Sequence, residues 1–170
     1  AIDLDQKDYA PKINLANSCM YLNDFLTAEK IFNKLILEKP NNFLLIANFA
    51  NFKKKIKDFK SAVELYEDAL KKSNNHPSIM NDLAKIYLNI GQFEKSKKIY
   101  EEIIAKFPLS ADAHISLSRL INYSEEQKHL KTMIDLYKNS KLDESPKGII
   151  AFGISKAFED LKDFKMSFSY

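Results

Sequence analysis

The sequence predicts an all-α solenoid, a stack of antiparallel helix hairpins. Three observations predict it. Residue types recur at a fixed interval of 34 residues, the mark of a repeat architecture. Glycine and proline number only three and five in 170 residues, fewer than a turn-rich β fold would need. Leu, Ile, Lys, Glu and Ala are abundant, which favours helix.

The repeat shows first in Leu15-Ala16, Phe49-Ala50, Leu83-Ala84 and Leu117-Ser118, each pair 34 residues after the last. Asp24-Phe25, Asp58-Phe59 and Gln92-Phe93 keep the same interval. So do Ala28, Ala62 and Ser96, then Phe32, Tyr66 and Tyr100, then Pro40, Asn74 and Pro108. This pattern resembles the tetratricopeptide repeat. In that family, small residues at the eighth and twentieth positions let two helices, A and B, approach closely. An aromatic at the twenty-fourth fills the gap between them, and proline at the thirty-second often ends the unit. The resemblance implies a right-handed superhelical solenoid. Its core would be built from Leu15, Phe32, Phe49, Tyr66, Leu83, Tyr87 and Tyr100.

The units follow in order. Ala1 falls on the twenty-seventh position of a preceding unit, so residues 1–8 read as the stub of an earlier helix B. Repeat 1 is 9–42, repeat 2 is 43–76 and repeat 3 is 77–110. Asp24 and Asp58 stand where each helix B needs an N-cap. Repeat 3 matches best. Its helix A starts at Pro77, suited to a first turn, and ends at Gly91, suited to a left-handed helix end. Repeat 4, 111–144, diverges. Ser110 is a candidate cap for its helix A, and Ser124 with Gln127 has capping-box spacing for its helix B. Leu130 stands where a small residue is expected, which predicts a splayed hairpin. After a linker, Lys138–Lys147, a partial repeat 5 spans 145–170. Its helix A covers about Ile149–Leu161, and Asp163-Phe164 and Ser167 restart the helix B pattern. Both ends read as mid-array, and their uncovered apolar surface predicts self-association.

Charge and composition narrow the function. The net charge is +3 with 29% charged residues, too balanced for a dedicated nucleic-acid binder. Cys19 is the only cysteine, which points to a reducing compartment, the cytoplasm. No stretch is apolar over the length of a membrane span, and the acidic, polar start is no signal peptide.

Nothing in the chain reads as catalytic or cofactor-binding. His76, His114 and His129 lack metal-ligand spacing, so their expected role is structural. Cys19 reads as a half-buried packing residue, with no cation or base on its helix face to activate it. Glu101-Glu102 and Glu125-Glu126 are helix neighbours about 100° apart and cannot pair on one face. The run Lys53-Lys54-Lys55 with Lys57 and Lys60 could meet phosphates or an acidic peptide, but its simpler reading is a solvated helix end.

The remaining chemistry is binding. In the resembled family, positions two, five, nine, twelve and thirteen of each helix A line a concave groove that holds a peptide or partner protein. The ninth-position column reads Asn17, Asn51, Lys85, Arg119. The fifth reads Ile13, Ala47, Asn81, Ile115, and the thirteenth Tyr21, Lys55, Asn89, Tyr123. Asn48 joins them. Asparagine amides can both donate to and accept from a peptide backbone. Lys85 and Arg119 could hold a carboxylate, and Tyr21 and Tyr123 supply flat contact. A clamp for a chaperone's C-terminal carboxylate would match Asn17 and Asn48, but Ile13, Ser78 and Asp82 depart from its pattern, and Asp82 has the wrong sign.

A narrower resemblance covers the last third. His114, Leu117-Ser118-Arg119-Leu120, Lys128-His129-Leu130, Met133, Leu136-Tyr137, Phe152-Gly153, Ser155–Leu161, Asp163-Phe164 and Ser167-Phe168 are similar to the last repeats of bacterial proteins in which such repeats precede a sulfotransferase domain. That implies an alternative role as the docking arm of a larger enzyme. The phosphate loop of such a domain is not present here, since Gly91, Gly148 and Gly153 are too scattered to build one.

Overall fold

A computed structural model of the chain describes residues 6–138 and 142–170, with side chains from residue 9. Every regular element among them is helical. The helices are α1 Gln6–Tyr21, α2 Phe25–Glu38, α3 Phe43–Lys55, α4 Phe59–Lys72, α5 Pro77–Asn89, α6 Phe93–Lys106, α7 Ala111–Ser118, α8 Lys128–Tyr137, α9 Glu144–Asp160 and α10 Phe164–Ser167. They form two compact units, Ala1–Gly91 and Gln92–Tyr170. The division falls inside the third sequence repeat, with α5 in the first unit and α6 in the second.

In the first unit α1 packs on α2, α3 on α4, α4 on α5, and α2 on α3. The small residues that the repeat predicts are the reason the helices can approach. Ala16, Ala50 and Ala84 on the A helices and Ala28 and Ala62 on the B helices are wholly buried. Phe32 of α2 fills the space they leave. It stacks on Phe49 of α3 at 5.4 Å between ring centroids and tilts against Phe52 at 5.6 Å. Such aromatic contacts add to the burial of each ring. The predicted core residues Phe32, Phe49, Tyr66, Leu83, Tyr87 and Tyr100 are buried, but Leu15 is 55% exposed. Its counterpart Phe49 is covered by the helix ahead of it, and no described helix precedes α1.

Four of the turns between helices A and B share one conformation, the turn between α7 and α8 being the exception. Asn23, Lys57, Gly91 and Lys162 all have φ between 60° and 75°. In three of these turns the next residue's amide donates five residues back: Asp24 to Cys19, Asp58 to Lys53 and Asp163 to Phe158. This closes the preceding helix as a Schellman-type cap. The same aspartates open the next helix, accepting from Thr27, Ser61 and Met166 amides. One short segment thus ends one helix and starts the next.

In the second unit α6 packs on α7, and α9 packs on α7, α8 and α10. Ser96 and Ser118 are wholly buried at the predicted small positions. A Cβ on Gly153 would lie 2.9 Å from Met133 Sδ, so glycine permits α9 to approach α8.

Several expectations change here. Ser110 and Gln127 occupy N-cap positions, but neither side chain makes a cap bond. Ser124 bonds instead to Asn122, its amide and hydroxyl both donating to Asn122 Oδ1. The shorter-range Asx turn has taken the hydroxyl that the capping box needed. The fifth helix A begins at Glu144, five residues before the expected Ile149. Pro146 sits in its first turn, where a missing N–H costs nothing. Lys147 donates to Glu144 at 3.1 Å across that turn. Of the expected linker, residues 139–141 lie outside the described residues. Residues 6–8, read as part of a stub, continue into α1, while residues 1–5 lie outside the described residues.

Candidate functional site

The groove residues of the first unit sit on α1, α3 and α5. Helical spacing sends Ala16, Ala50 and Ala84 inward and leaves the next residue on each helix at the edge of the core. Asn17 and Asn81 are half-buried, and Lys55, Lys85 and Asn89 are exposed. Tyr21, at the end of α1, is 85% exposed.

Two members of the set are engaged by the protein itself. Asn51 Oδ1 accepts from the Tyr66 hydroxyl at 2.7 Å, and Tyr66 is wholly buried. Burial pushes the Tyr66 ionisation up, and Asp82 adds to it, so the hydroxyl remains a donor. Asn48 Nδ2 donates back to Leu44 O at 2.8 Å along its own helix. The neighbouring turn of helix binds Tyr87, whose hydroxyl donates to Glu67 at 2.8 Å. Burial, followed by that bond, raises Tyr87 to about 12.

The basic run is drawn partly into the same unit. Lys53 Nζ lies 2.6 Å from Glu29 and 3.6 Å from Asp58, with 14% of its side chain exposed. Lys54 Nζ lies 6.0 Å from the Tyr66 ring centroid. Two of the three consecutive lysines are therefore already engaged by the chain's own carboxylates and rings.

The last two groove candidates lie in the second unit. Arg119 is exposed, but α7 has ended, and Arg119 is its C-cap. Tyr123 is no groove residue: it is wholly buried. The register placed it at a thirteenth position on helix A, but the chain leaves the helix at Ser118 and carries the ring into the core. There its amide donates to Asp160 Oδ2 at 3.3 Å, and its hydroxyl lies 2.6 Å from His129 Nδ1.

That contact is one link of a buried polar chain that sequence reasoning missed. His129 Nε2 lies 3.0 Å from His114 Nδ1, and His114 Nε2 lies 2.9 Å from Pro108 O. The Pro108 carbonyl can only accept, so His114 Nε2 carries the proton. In the neutral ring Nδ1 must then accept, and His129 Nε2 donates to it. His129 Nδ1 is left to accept from Tyr123. These assignments follow from donor and acceptor capacity alone. The histidines are 15 residues apart, outside the 34-residue period, which is why the columns did not pair them. Cys19 is half-buried, as expected.

Among the described residues, no group of three or more His, Cys, Asp or Glu side chains is placed to hold a metal. No helix among them is long and apolar enough to cross a membrane.

Comparison with known proteins agrees with this geometry. A tetratricopeptide repeat family model matches residues 57–120. No curated protein sequence matches the chain. Among solved structures, MamA from Desulfovibrio magneticus RS-1 is similar at 17% identity and a TM-score of 0.68, over 99% of this chain and 92% of that one. A tetratricopeptide repeat protein from Parabacteroides merdae is similar at 15% identity and a TM-score of 0.76, over 95% of this chain and 63% of that one. YrrB, described as a repeat protein of this type with an unusual peptide-binding site, is similar at 13% identity and a TM-score of 0.64, over 95% of this chain and 81% of that one. Residues 57–120 are thus tetratricopeptide repeats by sequence, and the described chain has the fold of tetratricopeptide-repeat proteins.

Proposed function

We propose that the chain is a non-catalytic protein-interaction scaffold that holds an extended peptide or partner segment on the A-helix face of its first unit. The observation that carries this is the set of accessible polar groups on α1, α3 and α5: Asn17, Tyr21, Lys55, Asn81, Lys85 and Asn89. They stand beside a core that the aromatic and small residues already fill, so they are available to a ligand. Asparagines can pair with peptide amides in either sense. Lys55 and Lys85 favour a partner with carboxylates. Tyr21 adds apolar area at low entropic cost. YrrB, of the same fold, is described as having a peptide-binding site.

The test is selection from a displayed random-peptide library on the intact protein. Enriched peptides should be acidic, and they should lose affinity at least tenfold, about 1.4 kcal/mol, for Lys85→Glu with Asn17→Ala. The melting temperature should change little, since neither side chain is part of the buried core. Equal affinity for the wild type and the variant would refute the assignment.

A further inference from the structure

The buried chain from Tyr123 to Pro108 uses every ring nitrogen of two histidines once. His114 is wholly buried, and His129 is 8% exposed. Their rings stack at 5.2 Å between centroids with 7° between planes, and Tyr123 stacks on His129 at 6.1 Å. The linked groups come from four places along the chain: the segment after α6, α7, the turn after α7, and α8.

We propose that this chain is an acid-sensitive latch of the second unit: one proton taken up by either imidazole puts an uncompensated charge in the core and favours release of the start of α8 and the preceding turn from α7. A proton on His114 Nδ1 would set two N–H groups against each other at the 3.0 Å contact, or force the His129 proton onto Nδ1 and reverse the chain toward the Tyr123 oxygen. A proton on His129 Nδ1 would turn that nitrogen into a donor, which the Tyr123 oxygen accepts only by turning its own proton out of the bond. In each case the Tyr123 hydroxyl proton loses its acceptor and a charge is left buried without a counter-ion.

The surrounding charges do not compensate. From α9, Asp160 is paired with Lys156 at 2.5 Å, and Lys156 Nζ lies 5.0 Å from the Tyr123 ring centroid. From the turn, Glu126 is paired with Lys97 of α6 at 3.2 Å, and Glu125 accepts from Asn122. On α7 and α8 themselves, Asp112, Lys128, Lys131 and Asp135 are exposed. None of the hydrogen bonds described for either imidazole comes from a carboxylate.

Burial pushes both histidines down, and His114 adds to the effect on His129, which lies at about 4 against an ordinary 6.5. The sign follows from proton linkage. The opened state takes up protons at a higher pH than the closed state. The latch therefore holds fully above about pH 6.5, and its stability falls as pH drops from there toward about 4.

The experiment is amide hydrogen exchange on the full chain between about pH 7.5 and about pH 4.5, corrected for intrinsic rates, beside imidazole NMR titration. If opening takes up one proton, protection over residues 108–137 should fall up to about tenfold per pH unit below about 6.5. Protection over residues 25–72, which contain no histidine, should not share that slope. His114→Asn with His129→Gln should flatten it. If that variant does not fold, Tyr123→Phe removes the hydroxyl partner of His129 Nδ1 and should move the His129 midpoint. A flat wild-type slope, an unchanged slope in the double variant, an unmoved His129 midpoint in Tyr123→Phe, or His129 titrating at the ordinary 6.5 would each overturn the proposal.

Discussion

Asn51 is bound by the core although it lies in the column proposed for a ligand. Its position on α3 belongs to the column that a peptide would meet, but its Oδ1 is the acceptor for a hydroxyl with no solvent exposure. Asn51→Ala would leave that hydroxyl buried and unpaired, which costs about 1–3 kcal/mol. Tyr66→Phe should cost less, because it removes the donor along with its need for a partner. A double-mutant cycle by urea unfolding should show coupling of roughly 1 kcal/mol. Additive costs would mean that the bond contributes nothing. Asn51 is therefore a poor probe of ligand binding, whereas exposed Lys85 is a clean one. The period of 34 residues identified which side of the helix each residue occupies. It could not say which amides the protein uses internally, because that depends on the reach of Tyr66 from the neighbouring helix.

At the scale of the element, the A-to-B turn is the most regular feature of the chain. Its left-handed residue is glycine only at Gly91; Asn23, Lys57 and Lys162 adopt the same conformation with side chains. Lysine in that region carries a steric cost of about 1 kcal/mol. Lys57→Gly should therefore stabilise the protein by up to about 1 kcal/mol, less the entropy that glycine loses on folding. Asp58→Ala, one residue on, should destabilise it by about 1 kcal/mol through loss of the cap. Chemical denaturation of both variants checks the pair, and equal signs would contradict it. The bond from Ser61 holds the Asp58 carboxyl below its ordinary 3.8. The cap's contribution is thus present above that value and lost as pH falls through the lowered one. The Asp-Phe pattern made these turns legible in sequence. The fourth unit lacks it, and there α7 stops after eight residues while Tyr123 turns inward to His129 and Asp160.

For the whole molecule, three strongly exposed aromatic side chains of the second unit lie on α9 and after it. Phe152, Phe164 and Phe168 are 75%, 60% and 90% exposed. An open cleft of about 210 Å³ is lined there by Gly148, Ala151, Phe152, Ser155 and Tyr170. Exposed apolar side chains of this kind can favour association. The sedimentation coefficient should rise with protein concentration, and Phe152→Ser with Phe168→Ser should suppress the rise. A concentration-independent monomer would contradict the expectation. The sequence by itself determined the hairpin fold, the buried small residues and the aspartate caps, because each depends on local geometry repeated at one spacing. Tertiary structure alone decided that Leu15 stays exposed, that Asn51 answers to Tyr66, and that Tyr123, His129 and His114 form one chain. Those outcomes depend on which side chains meet across helices, where no fixed spacing relates the partners.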